Sequence, residues 1–310
     1  MLLKIVKTSA LVAVTACALN ASSFNAQAEK DRMALEAYTV AKFKDAEANK
    51  DKFFPYSTDE ELKNNITKDI KAEEFAIGNY AFSKQGKFSY DEIKEMPPYD
   101  ELIEAGEGLY NKKFANGNSF AVCFPDPTIG GDYPMFDEEK KQVVTLTQAL
   151  NECLTSNGEK KWNEKKGKMA HLQAFIANQT KEAEKKVNIK IQSKEAAEAY
   201  ERGKEAYYTQ RGYLNLSCAT CHVQGAGKRV RNESMSQLLG HTTHFPVFRL
   251  KWGAKKVEDG LGTLERRMTG CNKDQGENPH KANSKWMKEL LYFMAYMSNG
   301  MMIDGPDVRK

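Results

Sequence analysis

The sequence predicts an all-α protein built from two related domains. A run of apolar residues at helical spacing extends from Ala196 to Tyr207, the pattern of one buried helix face. Within it, Gly203 and Tyr207 stand four residues apart, and Gly106 and Tyr110 repeat that spacing in the first half. The numbers 203 and 106 give a repeat period of 97 residues, so we expect one domain in each half.

A second apolar helix is predicted to close each half. Ser193 and Ser284 stand where a side chain could cap the early and the late helix of the second half. A glycine on the early helix would let a bulky late helix cross closely. The late apolar positions are Met169, Leu172, Phe175 and Ile176 in the first half, and Trp286, Leu290, Phe293, Met294 and Met297 in the second.

Composition sets the broad class. The chain has 310 residues, 41% of them hydrophobic and 28% charged, which is typical of a water-soluble globular protein long enough for two domains. A formal net charge of +4 gives no electrostatic case for a nucleic-acid partner.

The N-terminus predicts export. Lys4 and Lys7 precede an apolar run from Thr8 to Leu19, followed by Ala26-Gln27-Ala28, so residues 1–28 are interpreted as a signal peptide. The run is too short to cross a bilayer, which needs roughly 20 residues. Lipid attachment at Cys17 is a less favoured alternative. We then expect a charged helical leader over 29–100 packed on the first domain, a first domain over 101–185 and a second over 186–310.

The most specific motif follows the early helix of the second half. Cys218-Ala219-Thr220-Cys221-His222 has the form C-x-x-C-H, the attachment signature of a c-type haem. The two thiols would bond the haem covalently, and His222 would supply the proximal iron ligand. Together with the helix packing predicted for both halves, this motif suggests two cytochrome c-like domains. Because the motif occurs once, a two-haem peroxidase is disfavoured.

The first half lacks this motif. Cys123 is followed by Phe-Pro-Asp-Pro, without a second cysteine or a histidine, so we expect no haem there. In an exported protein, Cys123 and Cys153 are most economically interpreted as a disulfide. Closing a loop of that size is worth about 3–4 kcal/mol in the chain-entropy model.

Cys271 remains without a sequence partner. Arg266 and Arg267 precede it closely, and cationic surroundings are typical of reactive cysteines. It lies 49 residues after His222, a separation at which such domains present their second iron ligand. The residues alone leave other interpretations open: an inert buried thiol, or ligation by Met235, Met268, His241 or His244.

Taken together, these features resemble the SoxA family, the larger subunits of the SoxAX cytochromes of bacterial thiosulfate oxidation. The match rests on the paired cysteines, on C-x-x-C-H, on the run from His241 to Trp252 and on Arg266-Arg267-Met268-Thr269-Gly270-Cys271. The last block is the most specific. The family often has a further basic residue two before the cysteine, where this chain has Thr269.

The resemblance implies an enzyme with one haem c. It implies Cys271 as distal ligand and active-site persulfide, and Arg267, with Arg266, as substrate contact. The implied reaction joins thiosulfate to a cysteine of a SoxYZ-like carrier and passes two electrons to a c-type acceptor. A small SoxX-like cytochrome subunit and a periplasmic location are also implied. The main alternative is a monohaem electron carrier with a Met or His ligand and no sulfur chemistry.

Overall fold

A computed structural model describes residues 3–44, 67, 69–230 and 233–309, with side chains of the first helix described from residue 24 onward. The side chain of Cys17 and residues 45–66 of the expected leader lie outside this part. Among the described residues, no helix is both long enough and apolar enough to span a membrane.

The segment before the first domain and the first domain itself are mainly helical. They comprise α1 (Leu3–Lys44), a 3₁₀ segment (Ala72–Phe82), α2 (Lys84–Glu95), α3 (Asp100–Asn111), α4 (Phe120–Cys123), the hairpin strands β1 (Met135–Asp137) and β2 (Gln142–Val144), α5 (Leu146–Ser156) and α6 (Lys168–Glu182).

The second domain adds more helices and short strands. It comprises α7 (Lys194–Tyr208), a π-helical turn (Thr220–Gln224), β3 (Arg229–Val230), β4 (Glu233–Ser234), β5 (Val247–Arg249), α8 (Leu250–Gly253), a 3₁₀ turn (Val257–Asp259), β6 (Leu261–Gly262), α9 (Leu264–Asp274), α10 (Lys285–Tyr296) and β7 (Asp307–Arg309). Strand β5 pairs antiparallel with β6 and parallel with β7.

The predicted repeat is confirmed by two matching helix crossings. A Cβ atom built on Gly106 of α3 would lie 2.1 Å from the carbonyl oxygen of His171 in α6. One built on Gly203 of α7 would lie 2.0 Å from the carbonyl oxygen of Glu289 in α10. Only glycine permits these approaches, because such a distance is far inside van der Waals contact. Both halves therefore have the early-helix, late-helix crossing expected of cytochrome c-like domains, and the protein is all-α in class.

The predicted helix caps of the second domain are also present. The Ser193 side chain accepts a hydrogen bond from the Ala196 amide at 3.1 Å, and the Ser284 side chain accepts one from the Met287 amide at 3.3 Å. These bonds satisfy amide groups that a helix start leaves without a partner.

The first domain has its own core and the predicted disulfide. Cys123 and Cys153 are bonded, with Cα atoms 6.1 Å apart. The bond joins α4 to α5 beside a buried cluster that includes Phe120, Leu150 and Ile176. It therefore ties the segment that corresponds to the C-x-x-C-H loop of the second domain to the core of the first.

The leader contacts both domains, and the sequence predicted packing on the first. Ile93 and Tyr99 lie in a cluster with Ala170 and Ala174 of the first domain. Leu35 and Phe43 of α1 and Phe75 of the 3₁₀ segment are buried in the cluster that also contains residues of α7 and α10. Lys204 of α7 pairs with Asp31 of α1 at 2.5 Å. The apolar face of an amphipathic helix shows that the helix packs on another apolar surface, but it does not identify that surface. The sequence therefore did not predict the contacts of α1 with the second domain.

Candidate haem and sulfur site

One cavity brings together five of the predicted site residues. Its volume is about 460 Å³, within the range of small-molecule and cofactor pockets. The predicted residues in its lining are Cys218, Cys221, His222, Arg267 and Cys271. They come from two segments far apart in sequence, so the fold and not chain proximity assembles them.

The C-x-x-C-H segment enters the cavity at the start of the π-helical turn. Ser217 and Thr220 hold this start, because the Thr220 amide donates to the Ser217 hydroxyl at 3.0 Å and the Ser217 amide donates to the Thr220 hydroxyl at 3.1 Å. Cys218 and Cys221 are not joined to each other. Burial raises the pKa of Cys218 to about 12 and also raises that of Cys221. Both side chains are thus thiols at neutral pH.

His222 is held as a neutral imidazole with one nitrogen available. Its Nδ1 atom lies 2.7 Å from the carbonyl oxygen of Ser236, and since a carbonyl only accepts, Nδ1 carries the proton. Burial, the largest cause, lowers the pKa of His222 to about 4. The lone pair of Nε2 is then free for a metal, the arrangement that a second-shell hydrogen bond gives a metal-binding histidine. The described residues thus fit a haem c at this cavity.

Arg267 and Cys271 reach the cavity from α9. The Thr263 side chain accepts a hydrogen bond from the Arg266 amide at 3.4 Å and so caps this helix. Residues four apart lie on the same helix face, so Arg267 and Cys271 point into one space. A cation and a half-buried cysteine sulfur are thereby placed at the same cavity as the haem-attachment motif.

Arg266 lies elsewhere. Its Nη1 atom donates to the carbonyl oxygens of Asp259 at 2.8 Å and Leu261 at 2.9 Å, and its guanidinium carbon stands 4.0 Å from the ring centroid of Trp252. It is not in the cavity lining. The structure therefore separates two adjacent arginines that sequence reasoning treated together.

The residues considered as alternative iron ligands do not all line this cavity. Met235, Met268 and His241 line the same cavity, and His244 does not. The rings of His222 and His241 have centroids 4.5 Å apart. Metal–imidazole bonds of about 2 Å would put two rings on opposite sides of one iron about 6 Å apart. This pair therefore does not have the spacing of two axial ligands.

Tyr207 is a cavity residue that sequence reasoning treated only as packing. Its ring lines the cavity, and its hydroxyl is fully buried without a hydrogen-bond partner in the described part of the chain. The sequence offered one signal, the matching positions of Tyr207 and Tyr110 in the repeat. The Tyr110 hydroxyl of the first half donates to the carbonyl oxygen of Phe124. Among the described residues, the Tyr207 hydroxyl thus lacks the kind of partner that the Tyr110 hydroxyl has, and Tyr207 is the tyrosine that lines the cavity.

Comparisons with known proteins agree with this geometry. Residues 105–184 and 202–303 match the family model described as the SoxA/TsdA cytochrome c domain. A relative from Chlorobaculum thiosulfatiphilum, named L-cysteine S-thiosulfotransferase subunit SoxA, is 45% identical over 78% of this chain and 82% of its own length. One from Allochromatium vinosum with the same name is 40% identical over 78% of this chain and 84% of its own.

A solved structure is similar as well. In the crystal structure of SoxXA from P. pantotrophus, one chain aligns with a TM-score of 0.63 at 29% identity, covering 74% of this chain and 87% of that one.

Proposed function

The chain belongs to the SoxA family of cytochromes c, and from this premise we propose which of its residues perform the reaction of an L-cysteine S-thiosulfotransferase. It is a subunit of that enzyme class, as the relatives matched over most of the chain are. An electron carrier with a Met or His ligand and no sulfur chemistry is correspondingly disfavoured.

The substrates we propose are thiosulfate and a cysteine of a SoxYZ-like carrier protein. Thiosulfate and the carrier thiol combine into a cysteine S-thiosulfonate, releasing one proton and two electrons. A sulfur–sulfur bond forms, the thiol S–H bond breaks, and both sulfur partners are oxidised. A soluble c-type acceptor takes the electrons one at a time.

Three residues would hold one haem c. Cys218 and Cys221 supply the covalent attachments and His222 the proximal ligand, supported by the Nδ1 hydrogen bond to Ser236. The bound haem supplies a one-electron sink next to the sulfur site. A second haem in the first domain has no attachment motif, and Cys123 is engaged with Cys153. We therefore propose one haem per chain.

Arg267 would bind the sulfonate end of thiosulfate. A guanidinium presents a fork of N–H donors that fits an oxyanion, which an ammonium cannot match. Its place on the same helix face as Cys271 directs the outer sulfur of the bound dianion toward the cysteine. Arg266, which instead fixes the turn before α9 through Asp259 and Leu261, is proposed as a positioning residue.

Cys271 would be the sulfur that exchanges. Its thiolate bonds to the outer sulfur of thiosulfate as two electrons leave, and the product is a Cys271 S-thiosulfonate. The carrier thiolate then attacks that outer sulfur, and Cys271 departs as thiolate, as in thiol–disulfide exchange. A Cys271 persulfide would use its terminal sulfur in the same two steps. The same sulfur is proposed as the distal iron ligand.

We also propose the partner, the location and the domain limits. The likeness to a SoxXA chain supports a small SoxX-like cytochrome as the second subunit. The family and the N-terminal pattern support export to the periplasm after cleavage at Ala28, with lipid attachment at Cys17 less favoured.

Domain limits at 101–185 and 186–310 are supported by the two matched segments. The leader over 29–100 is proposed to pack on both domains, which the two buried clusters that it joins support.

The observation that carries this proposal is the shared cavity of the haem motif, Arg267 and Cys271. The test combines the purified holoprotein, a SoxX-like subunit, a SoxYZ-like carrier, thiosulfate and oxidised cytochrome c. Mass spectrometry of the carrier should show one added thiosulfonate for every two cytochromes reduced. A carrier whose acceptor cysteine is replaced by serine should stop both signals. Reduction of cytochrome c by thiosulfate with an unmodified carrier would contradict the proposal.

A further inference from the structure

A small basic pocket adjoins the haem cavity. Its volume is about 90 Å³, and Met235, His222, His241 and Arg267 line both spaces. Its lining adds Arg249, Arg309 and His244, and none of the lining residues described is acidic. Arg267 and Arg309 bring guanidinium groups to this small space, and cations in a lining that shows no acidic residue favour an anionic occupant.

The position of this pocket relative to the haem motif is informative. It is lined by His222 from one side of the proposed haem and by Arg267, on the helix of Cys271, from the other. A space that touches residues from both sides lies at the edge of the ring. Neither Cys218 nor Cys221 lines it, so it is not at the edge that the thioethers occupy.

We propose that this pocket binds the propionate carboxylates of the haem. A haem c carries its two thioether-forming groups on two neighbouring pyrroles and its propionates on the other two. An edge without the attachment cysteines is therefore the propionate edge. This inference rests on the haem attachment proposed above and adds residues that the attachment motif does not identify.

The charges around Arg309 leave an excess of positive charge. Its Nη1 atom pairs with Asp307 and also donates to the carbonyl oxygen of Val308. Asp307 and Asp304 are shared with Lys94, and Asp304 also with Lys181. Among the residues that the structure describes, these three cations face two carboxylates, which leaves one positive charge in this cluster. The Nε atom of Arg309 is buried without a partner in the described part of the chain.

Two imidazoles of the lining have unmet hydrogen-bonding capacity. The Nδ1 atoms of His241 and His244 are buried without a partner among the described residues. A buried polar group without a partner costs about 1–3 kcal/mol. A carboxylate entering the pocket would accept a hydrogen bond from a protonated ring nitrogen. Burying a carboxylate is itself costly unless it is paired, and this lining offers both a cation and neutral donors.

The test uses two variants and a matched control in the holoprotein. His244→Phe keeps the ring that stacks on Phe245 and removes its nitrogens. Arg309→Lys keeps a cation beside the buried Asp307, which guards the fold, and removes the forked donors. The control is His280→Phe, since His280 also stacks on an aromatic ring, that of Trp286, and lies outside the pocket.

Resonance Raman spectroscopy of the propionate-bending band gives a readout independent of activity. We expect both pocket variants to shift this band to lower frequency and to lower the midpoint potential, because less neutralised carboxylates stabilise ferric iron. The control should match the wild type. An unshifted band in both variants, with a raised KM for thiosulfate, would show that the pocket takes the free anion and overturn the inference. Loss of the covalent haem mass in the wild type would instead refute the attachment proposal.

Discussion

The Nδ1 atom of His222 donates a hydrogen bond of 2.7 Å to the carbonyl oxygen of Ser236. The bond fixes the proton on Nδ1, orients the ring and leaves Nε2 for iron. Ser236 stands 14 residues further along the chain, so it is the loop after C-x-x-C-H that holds the His222 ring in this tautomer. His222 is therefore the candidate ligand for one side of the iron, and Cys271 is the candidate for the other.

Electron paramagnetic resonance of the oxidised protein should distinguish the axial ligands. We expect a low-spin ferric signal of the His–thiolate type, because an anionic sulfur donates more density than a thioether or imidazole. Met235→Leu and Met268→Leu are matched controls from the same cavity and should leave the signal unchanged. A His–Met or bis-His signal in the wild type would contradict Cys271 ligation.

Arg267→Lys and Arg267→Ala should lower kcat/KM for thiosulfate about 10- to 150-fold, the effect of losing charge-assisted hydrogen bonds worth roughly 1.5–3 kcal/mol. The haem absorption spectrum should stay nearly intact, since Cys218, Cys221 and His222 are unchanged. Arg266→Met should chiefly lower the melting temperature, because it loses two carbonyl contacts and the Trp252 ring. Equal kinetic losses in Arg266→Met and Arg267→Ala would show that the two arginines are not separated in role.

Gly203→Ala should destabilise the protein by at least about 2 kcal/mol, as overpacking at a helix crossing does. The added Cβ would meet the Glu289 carbonyl oxygen at 2.0 Å. Gly108→Ala is the matched helical control: nothing lies within 4 Å of its Cβ position, and the change should gain up to about 1 kcal/mol. Denaturant unfolding measures both. Similar stabilities for the two variants would argue against the close crossing.

The early and late helices and their caps could be predicted because they depend on local spacing. The close helix crossing at Gly203 and the helix caps at Ser193 and Ser284 follow from the positions of these residues in the sequence. The packing of α1 could not be predicted in the same way. Its apolar face fits α7 and α10, and nothing in the helix itself names that partner.

The site was predictable where one motif carries the chemistry and less so where distant segments meet. Arg266 and Arg267 are adjacent, yet successive residues point about 100° apart on a helix, so only one faces the cavity. Arg309 reaches the small pocket from the C-terminal strand, and no spacing in sequence links it to His222. The short strands that place it, β5 and β7, have too few residues for a pattern to show.

Intact, non-reduced mass spectrometry should show one haem adduct and a mass lower by two hydrogens for the Cys123–Cys153 bond. The disulfide is present in the structure, and the first domain has no second attachment cysteine. Cys123→Ser with Cys153→Ser should cost about 3–4 kcal/mol in the chain-entropy model, while the haem count stays at one. Two haem adducts, or free thiols at both positions, would disagree with this description.

Cys271→Met tests the central claim most directly, with carrier loading and the midpoint potential measured on the same sample. The variant should keep its covalent haem, because Cys218, Cys221 and His222 remain. Its potential should rise, since a neutral thioether stabilises ferric iron less than an anionic sulfur does. Formation of the carrier S-thiosulfonate should collapse, because a thioether cannot exchange sulfur. A variant that loads the carrier at the wild-type rate, with an unchanged potential, would contradict the assignment of Cys271 as the exchanging sulfur.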